Sequence, residues 1–380
     1  MHAGPSTVTG MTTTTHRRRL TGLAGGAALA VTATIVPSAA AQEDDHAATQ
    51  AALNQFQSIA GPGAAVYAGD ADEVWTLSAG TAKFGENRPI TEADHFRIGS
   101  QTKTFTAAVV LQLVEEGSVE LDAPIETYLP RVVTGNYDGN AITVRQLLQH
   151  TSGLARTGNG AKAGPDGTYA LAELVRAVMD EPPVGAPGEK SVYSNAGYLV
   201  LGMLIEQITG QYAGDAITQR IIQPLGLPGT SFPRPGERAL AQPFVHGYTG
   251  GRIPPFYLWI DRTTAVELSM YSTTGAMAST LADSAAFFRA LADGEVVSEA
   301  SLAEMRKTVP GGIGGVGLGI NEIPLSCGGT FLAKNGAVET GHVSTTGVTD
   351  DGRFASVVTN TFSTVAAEQS FEVLDAALCE

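Results

Sequence analysis

Phe96-Arg97-Ile98-Gly99-Ser100-Gln101-Thr102-Lys103-Thr104-Phe105 sets a serine three residues before a lysine, at the mouth of an apolar run from Ala107 to Val114. The spacing predicts a helix over 97–117 with Gly117 as its C-cap. In a helix, positions i and i+3 share a face, so the Ser100 hydroxyl and the Lys103 amine would lie side by side near the N-terminus. A serine hydroxyl is a weak nucleophile until a base stands next to it. A lysine serves as that base only where burial or a neighbouring cation lowers its pKa. Ser-x-x-Lys is also an ordinary way to begin a helix, so the rest of the chain must decide what this one does.

Upstream, Ala47–Ile59 has helical spacing and Gly61-Pro62-Gly63 ends it. Ala64–Ala68 and Glu73–Ala79 are short apolar runs joined by Gly69-Asp70-Ala71-Asp72, a hairpin signature. From about Ala141 helical periodicity takes over, in Val144–Leu148, Ala170–Met179, Asn195–Thr209 and Tyr212–Ile222. Beyond Met270, helices at Asp283–Ala292 and Glu299–Thr308 precede strand-like runs at Gly317–Ile320, Thr330–Lys334, His342–Val348 and Phe354–Asn360. A last helix, Val365–Leu378, closes the chain. The pattern implies an α/β lobe made from both ends of the chain (42–135 and 262–380), with an all-helical lobe (136–261) inserted between. Lobe interfaces of this kind favour binding sites.

The 380 residues are 43% hydrophobic, enough for a large core. Residues 1–41 contain Arg17, Arg18 and Arg19 and no acid. Without them the chain has 20 Lys+Arg against 38 Asp+Glu, a net charge of −18. Such a balance argues against nucleic-acid partners and anionic membrane surfaces. The arginines, a Gly/Ala-rich apolar stretch over Leu20–Val36 and the small residues Ala39-Ala40-Ala41 read as an export signal, cleaved near Gln42. A twin-arginine route and a general secretory route both fit, and Met11 is an alternative start. The expected mature protein is secreted, without a membrane anchor, and a monomer. Its two cysteines, Cys327 and Cys379, suit a disulfide in an exported chain, worth about 4 kcal/mol by loop entropy; two buried thiols are the alternative.

Two further clusters bear on Ser100. Pro187-Gly188-Glu189-Lys190-Ser191-Val192-Tyr193-Ser194-Asn195 enters a helix, and its Tyr-x-Asn turn can present a phenol and a carboxamide to one cavity. The phenol can relay a proton, and the carboxamide can hold a substrate amide by donor and acceptor together. Lys334-Asn335-Gly336-Ala337 ends a strand, offering a cation followed by small residues that let backbone lie beside a substrate. With Ser100, Ala337 is a candidate for the pair of backbone N–H groups that an oxyanion hole requires.

Together these clusters resemble the serine β-lactamase and penicillin-binding protein superfamily, marked by S-x-x-K, Y-x-N and K/H-T/S-G. Secreted D-alanyl-D-alanine carboxypeptidases and class C β-lactamases are the most similar branches. Thr143–Leu154, Tyr193–Gly210 and Gly275–Thr280 carry family wording, and Leu325–Gly328 with Cys379 is similar to the carboxypeptidase disulfide. The resemblance implies an α/β (α+β) fold of β-lactamase/DD-peptidase type, an antiparallel sheet flanked by helices. It also implies a serine hydrolase working through an acyl-enzyme, without cofactor or metal. Ser100 would be the nucleophile, Lys103 its base and Tyr193 the proton relay. Asn195 would contact the substrate amide, and Lys334 would support Tyr193 and a substrate carboxylate. Asn335, Gly336 and Ala337 would line the substrate and oxyanion wall. The substrate would be a small peptide (peptidoglycan peptides included), ester or β-lactam.

The chain departs from the family in two places. Asn335 replaces the usual Thr or Ser. The strand read at 317–324 also lacks the arginine with which carboxypeptidase relatives grip a terminal carboxylate, and has Glu322 instead. The expected function is therefore D-alanyl-D-alanine carboxypeptidase-like. An esterase, a D-amino-acid amidase or peptidase, a β-lactamase, or a penicillin-binding protein without turnover are the alternatives. A second register for the third motif exists at Gly341-His342-Val343. Gly312–Gly317 matches G-x-G-x-x-G, but no helix follows it, so it reads as a loop. Arg252–Trp259, with its prolines and aromatics, reads either as a rim of the cleft or as lobe packing.

Overall fold

The computed structural model describes residues 46–253 and 256–380. The signal-like segment 1–41 and the pair Pro254-Pro255 lie outside the described residues. In chain order, helix α1 (Ala47–Ala60) leads into strands β1 (Gly63–Gly69) and β2 (Val74–Gly80). Then come β3 (Phe96–Arg97), a 3-10 turn at Gly99–Gln101 and helix α2 (Thr102–Glu115). The middle of the chain forms α3 (Val144–Leu148), α4 (Leu171–Met179), α5 (Asn195–Thr209) and α6 (Ala213–Ile217), which widens into a π-turn over Thr218–Ile222. Strands β4 (Tyr248–Ile253) and β5 (Phe256–Asp261) pair with each other. They are followed by β6 (Ala278–Ser279), α7 (Leu281–Ala292) and α8 (Glu299–Met305). The chain ends with β7 (Val309–Pro310), β8 (Gly315–Val316), β9 (Asn321–Pro324), β10 (Thr330–Val338), β11 (His342–Thr349), β12 (Phe354–Thr359) and α9 (Thr364–Cys379).

Eight strands make one antiparallel sheet in the order β2-β1-β12-β11-β10-β9-β8-β7, so both ends of the chain meet in it. The β1–β2 hairpin turns at Asp70, whose carboxylate accepts from the Asp72 and Glu73 amides, as Asp does in tight turns. On one face lie α1 and α9. Leu53, Phe56, Leu374 and Leu378 pack there against Val66, Ala355 and Val357, on the i, i+3, i+4 spacing of amphipathic helices. The other core contains α2, α5 and α7. Helix α2 is buried from Thr102 to Leu111, as expected of a helix enclosed on every side.

Two expectations are corrected. Gly317–Ile320 is not a strand. It is a turn between β8 and β9, closed by the Gly317 amide on the Ile320 carbonyl at 2.9 Å. The Gly319 carbonyl accepts from Thr104 Oγ1 at 2.8 Å, so this backbone is satisfied without a strand partner. The segment 248–261, placed in the all-helical insert, is instead the β4–β5 hairpin. Gly250-Gly251 and the aromatic run from Phe256 disfavour helix and suit paired strands.

The disulfide Cys327–Cys379 is present and ties α9 to the turn after β9. Among the described residues, no helix is long and apolar enough to cross a membrane, and no group of His, Cys, Asp or Glu could hold a metal ion.

Candidate active site

Ser100 sits in the 3-10 turn just before α2, and that turn is fixed from two sides. The two-residue strand β3 pairs with β6, and the Ile98 amide donates to the Met277 carbonyl at 3.1 Å. Arg97 is 1% exposed. Its guanidinium donates to the carbonyls of Ala276, Arg238 and Ala239, and burial lowers its pKa to about 10. On the other side the turn lies against β10, backbone to backbone. A Cβ at Gly336 would stand 1.8 Å from the Ile98 carbonyl oxygen and 2.8 Å from the Ser100 nitrogen. One at Gly99, whose φ is +52°, would stand 2.7 Å from the Ala337 nitrogen. Only glycine permits this approach. It sets the backbone at Ser100 directly against β10 at Gly336 and Ala337.

Lys103, on the first turn of α2, is wholly buried. Its Nζ reaches Ser100 Oγ at 3.2 Å and donates to the Thr274 carbonyl at 2.7 Å. Burial first, then the charges of Lys334 and Arg156, hold its pKa well below the usual lysine range. Both causes favour the neutral amine, the state a general base needs, within reach of the Ser100 hydroxyl.

Tyr193 precedes α5. The helix is capped by Ser194, whose Oγ accepts from the Gly197 amide and donates to the Ala155 carbonyl. The Tyr193 hydroxyl donates to Ser100 Oγ at 2.6 Å. Cations surround its ring, with Lys103 Nζ 4.8 Å, Arg156 5.5 Å and Lys334 Nζ 5.6 Å from the centroid. His150 packs on it at 4.6 Å. The net pKa is nevertheless raised to about 12, because burial outweighs the Ser100 hydrogen bond and the charge of Arg156. In the resting site Tyr193 is thus a phenol, a donor and not a base.

Lys334 is buried on β10 and donates to Asn321 Oδ1 at 3.2 Å. Burial lowers its pKa to about 8. Strand β9 pairs with β10 only over Thr330–Ala333, so from Lys334 to Val338 that edge of β10 has no strand beside it among the described residues. Asn335 is half-buried and alternates onto the face of Ala333 and Ala337, opposite Lys334. Asn195 is the first residue of α5 and partly exposed.

The structure therefore brings Ser100, Lys103, Tyr193 and Lys334 together, with Gly336 and Ala337 against the nucleophile turn. The second register for the third motif falls in the β10–β11 turn. There His342 is fully buried, bonded to Thr340 Oγ1 and the Val245 carbonyl. The aromatic hairpin lines a separate cavity of about 330 Å³, where Tyr257 and Trp259 meet Gln57, Pro62, Thr81, Phe84 and Gly85.

Three residues of the site escaped the sequence reading: Thr274, Asn321 and Arg156. Thr274 directly precedes the Gly275–Thr280 wording, and Asn321 lies where an arginine was sought. Arg156 follows the Thr143–Leu154 wording by two positions and is exposed at the rim.

Residues 47–378 match the Beta-lactamase family. The chain belongs to the beta-lactamase family, within the serine β-lactamase and penicillin-binding protein superfamily. It is 31% identical over 237 residues to the unguisins hydrolase ungD' of Aspergillus campestris, covering 60% of this chain and 44% of that protein. Penicillin-binding protein 4 of Amycolatopsis lactamdurans is 33% identical over 167 residues, 44% of this chain and 43% of that one. The chain thus spans less than half the length of these curated relatives. A solved D-stereospecific amidohydrolase from Streptomyces sp. is 35% identical, covering 86% of this chain and 98% of that chain at a TM-score of 0.73. D-amino acid amidase from Ochrobactrum anthropi SV3, complexed with D-phenylalanine, is 25% identical, covering 87% and 97% at a TM-score of 0.75.

Proposed function

We propose that the chain hydrolyses amide and peptide bonds whose acyl residue is D-configured, through an acyl-enzyme on Ser100. The observation that carries this reading is the hydrogen-bonded group Ser100–Lys103–Tyr193 in a chain 35% identical to a D-stereospecific amidohydrolase over nearly all of that protein's length.

Acylation begins with neutral Lys103 taking the Ser100 proton as Oγ bonds to the substrate carbonyl carbon. The oxygen gains negative charge, and the amides of Ser100 and Ala337 donate to it. When the C–N bond breaks, Tyr193 gives its proton to the leaving nitrogen, and the Lys103 ammonium passes the proton it took from Ser100 to the Tyr193 oxygen, so that both side chains end neutral. In deacylation a water attacks the ester, Tyr193 and Lys103 relay its proton, and Ser100 Oγ leaves protonated. Lys334 holds positive charge behind Tyr193 throughout, and Asn195 meets the substrate's amide.

The D-alanyl-D-alanine carboxypeptidase reading is one case within this class, with D-alanine as the leaving group. Glu322 is less of an obstacle to it than its charge alone suggests, because Arg306 pairs with it at 3.0 Å. The disulfide supports an extracytoplasmic site of action, since such bonds persist in oxidising compartments.

The test is hydrolysis of D- and L-phenylalanine amide, an acyl-D-Ala-D-Ala peptide, a chromogenic cephalosporin and a short-chain ester, side by side. Turnover of the D-amide with the L-amide at least tenfold slower is expected. Equal rates on both enantiomers, or turnover of the ester alone, would overturn the reading.

A further inference from the structure

His150 takes no part in the steps above, yet it is buried against Tyr193. It follows α3 by two residues with φ at +60°, the left-handed conformation in which helices commonly end and for which glycine is the usual residue. The chain does use glycine to end α5, where Gly210 has φ at +68°. A histidine held in that conformation points to a use for its side chain. The His150 carbonyl accepts from the Val192 amide at 2.9 Å, and its ring Nδ1 accepts from the Ser194 amide at 3.2 Å. One residue thus bonds the amides on both sides of Tyr193. Its ring packs on the Tyr193 ring at 4.6 Å and on the Tyr198 ring at 5.2 Å, centroid to centroid. Tyr198 is itself fixed by donating to the Leu148 carbonyl at 2.8 Å. The carbonyls of Thr151 and Gly153 accept from the amides of Gly188 and Val184, so the segment leading to Tyr193 is laid along the same loop. Because Nδ1 accepts, the neutral ring carries its hydrogen on Nε2, which has no hydrogen-bond partner among the described residues. Burial first, then the charges of Lys334 and Lys103, hold the pKa well below the usual histidine range, which keeps Nδ1 an acceptor.

We infer that His150 is a positioning residue for the proton donor: by accepting from the amides of Val192 and Ser194 it holds the Tyr193 hydroxyl on Ser100 Oγ. The inference rests on the acyl-enzyme reading above, in which Tyr193 protonates the leaving nitrogen. Tyr193 stands ahead of α5, in neither helix nor strand, so its backbone has no ladder of its own. Proton transfer requires hydrogen-bond reach, and the 2.6 Å contact with Ser100 is lost if the turn shifts by about 1 Å. When the C–N bond of an amide breaks, the nitrogen must gain a proton, whereas p-nitrophenolate leaves an ester without one. Displacing Tyr193 therefore harms amide substrates selectively.

Glycine and asparagine both adopt the left-handed conformation, and asparagine Oδ1 reaches the position of histidine Nδ1. His150→Gly thus removes the side-chain acceptor, and His150→Asn restores it. For turnover, kcat/KM on D-phenylalanine amide is divided by kcat/KM on D-phenylalanine p-nitrophenyl ester. The ratio should fall about 10- to 100-fold in His150→Gly and return to within about threefold of wild type in His150→Asn. Loss of folded enzyme lowers both values alike and cancels. Crystal structures should show the Tyr193 hydroxyl beyond hydrogen-bond distance of Ser100 Oγ in His150→Gly and within it in His150→Asn. Nitrogen-15 NMR of the wild-type imidazole, assigned by comparison with His150→Asn, should show the Nε2–H tautomer at pH 7, a reading that does not need the glycine variant to fold. A ratio within about threefold of wild type in His150→Gly, equal losses in both variants, an undisplaced hydroxyl in His150→Gly, or an Nδ1–H tautomer would overturn the inference. If the wild type turns over neither substrate, the acyl-enzyme reading fails. The clamp on Tyr193 is then upheld if the hydroxyl moves in His150→Gly alone, and overturned if it stays.

Discussion

Gly336→Ala adds one methyl group where β10 touches the nucleophile turn. Its Cβ would stand 1.8 Å from the Ile98 carbonyl oxygen, the same oxygen that closes the turn by accepting from the Gln101 amide at 3.2 Å. Relieving that contact to 3 Å requires the two backbones to part by about 1 Å. The contacts at risk are backbone atoms, which cannot swing aside as a flexible side chain would. Parting them pulls the Ala337 amide away from the oxygen that it shares with the Ser100 amide. Displacements of that size cost about 10²-fold in rate, and loss of one oxyanion donor costs about 10²- to 10³-fold in kcat. The expected result is a kcat lowered by about 10²- to 10³-fold with KM much less changed, and a stability loss of about 1–3 kcal/mol from overpacking. Gly251→Ala in β4 is the control, because a Cβ there meets nothing within 4 Å. Steady-state kinetics on the D-amide and thermal melts of both variants provide the readout. A folded Gly336→Ala protein with kcat within threefold of wild type would refute the reasoning.

Three further outcomes follow from the charges and the cross-link. Because the Lys103 pKa is depressed, kcat/KM should rise with pH through an acid limb well below the ordinary lysine range. It should fall again as Lys334 loses its charge near pH 8. Removing the Lys334 charge in Lys334→Met should move the acid limb upward and abolish the alkaline one, and a downward shift in the pH–rate profile would contradict the account. Buried His342 has its pKa lowered from 6.5 to about 4, so the unfolded chain binds its proton first. The His342 contribution to stability should be complete above pH 6.5 and should decline by about 3 kcal/mol as pH falls to 4. Urea midpoints for wild type and His342→Gln would show it, and parallel pH curves would exclude it. Cys327→Ser with Cys379→Ser frees the chain across a separation of 52 residues, which should cost up to about 4 kcal/mol while leaving kcat near wild type. An unchanged urea midpoint would contradict that.

The nucleophile helix was legible because Ser100, Lys103 and the apolar run share one period, and burial along α2 is what that run encodes. Helices α3 and α5 were legible to the residue, each starting at a Thr or Ser cap that the structure uses. The turn at Gly317–Ile320 was not, because its buried Leu318 and Ile320 imitate a strand while the glycines bend it. The β4–β5 hairpin was masked by the helical texture before it. Within the site, Tyr193 and Lys334 came from motifs. Arg156 belongs to no periodic element, and its position emerges only where the loop after Leu154 meets α5. The direction of the Tyr193 pKa was likewise hidden, since cations near a phenol lower it and only packing decides that burial wins.

The central claim is that Ser100 carries the acyl group, and mass spectrometry of the protein quenched during turnover of a D-phenylalanine ester tests it most directly. The account predicts one acyl adduct on the peptide containing Ser100, absent from Ser100→Ala, which should also lack turnover. An adduct on another residue, or undiminished turnover in Ser100→Ala, would contradict it.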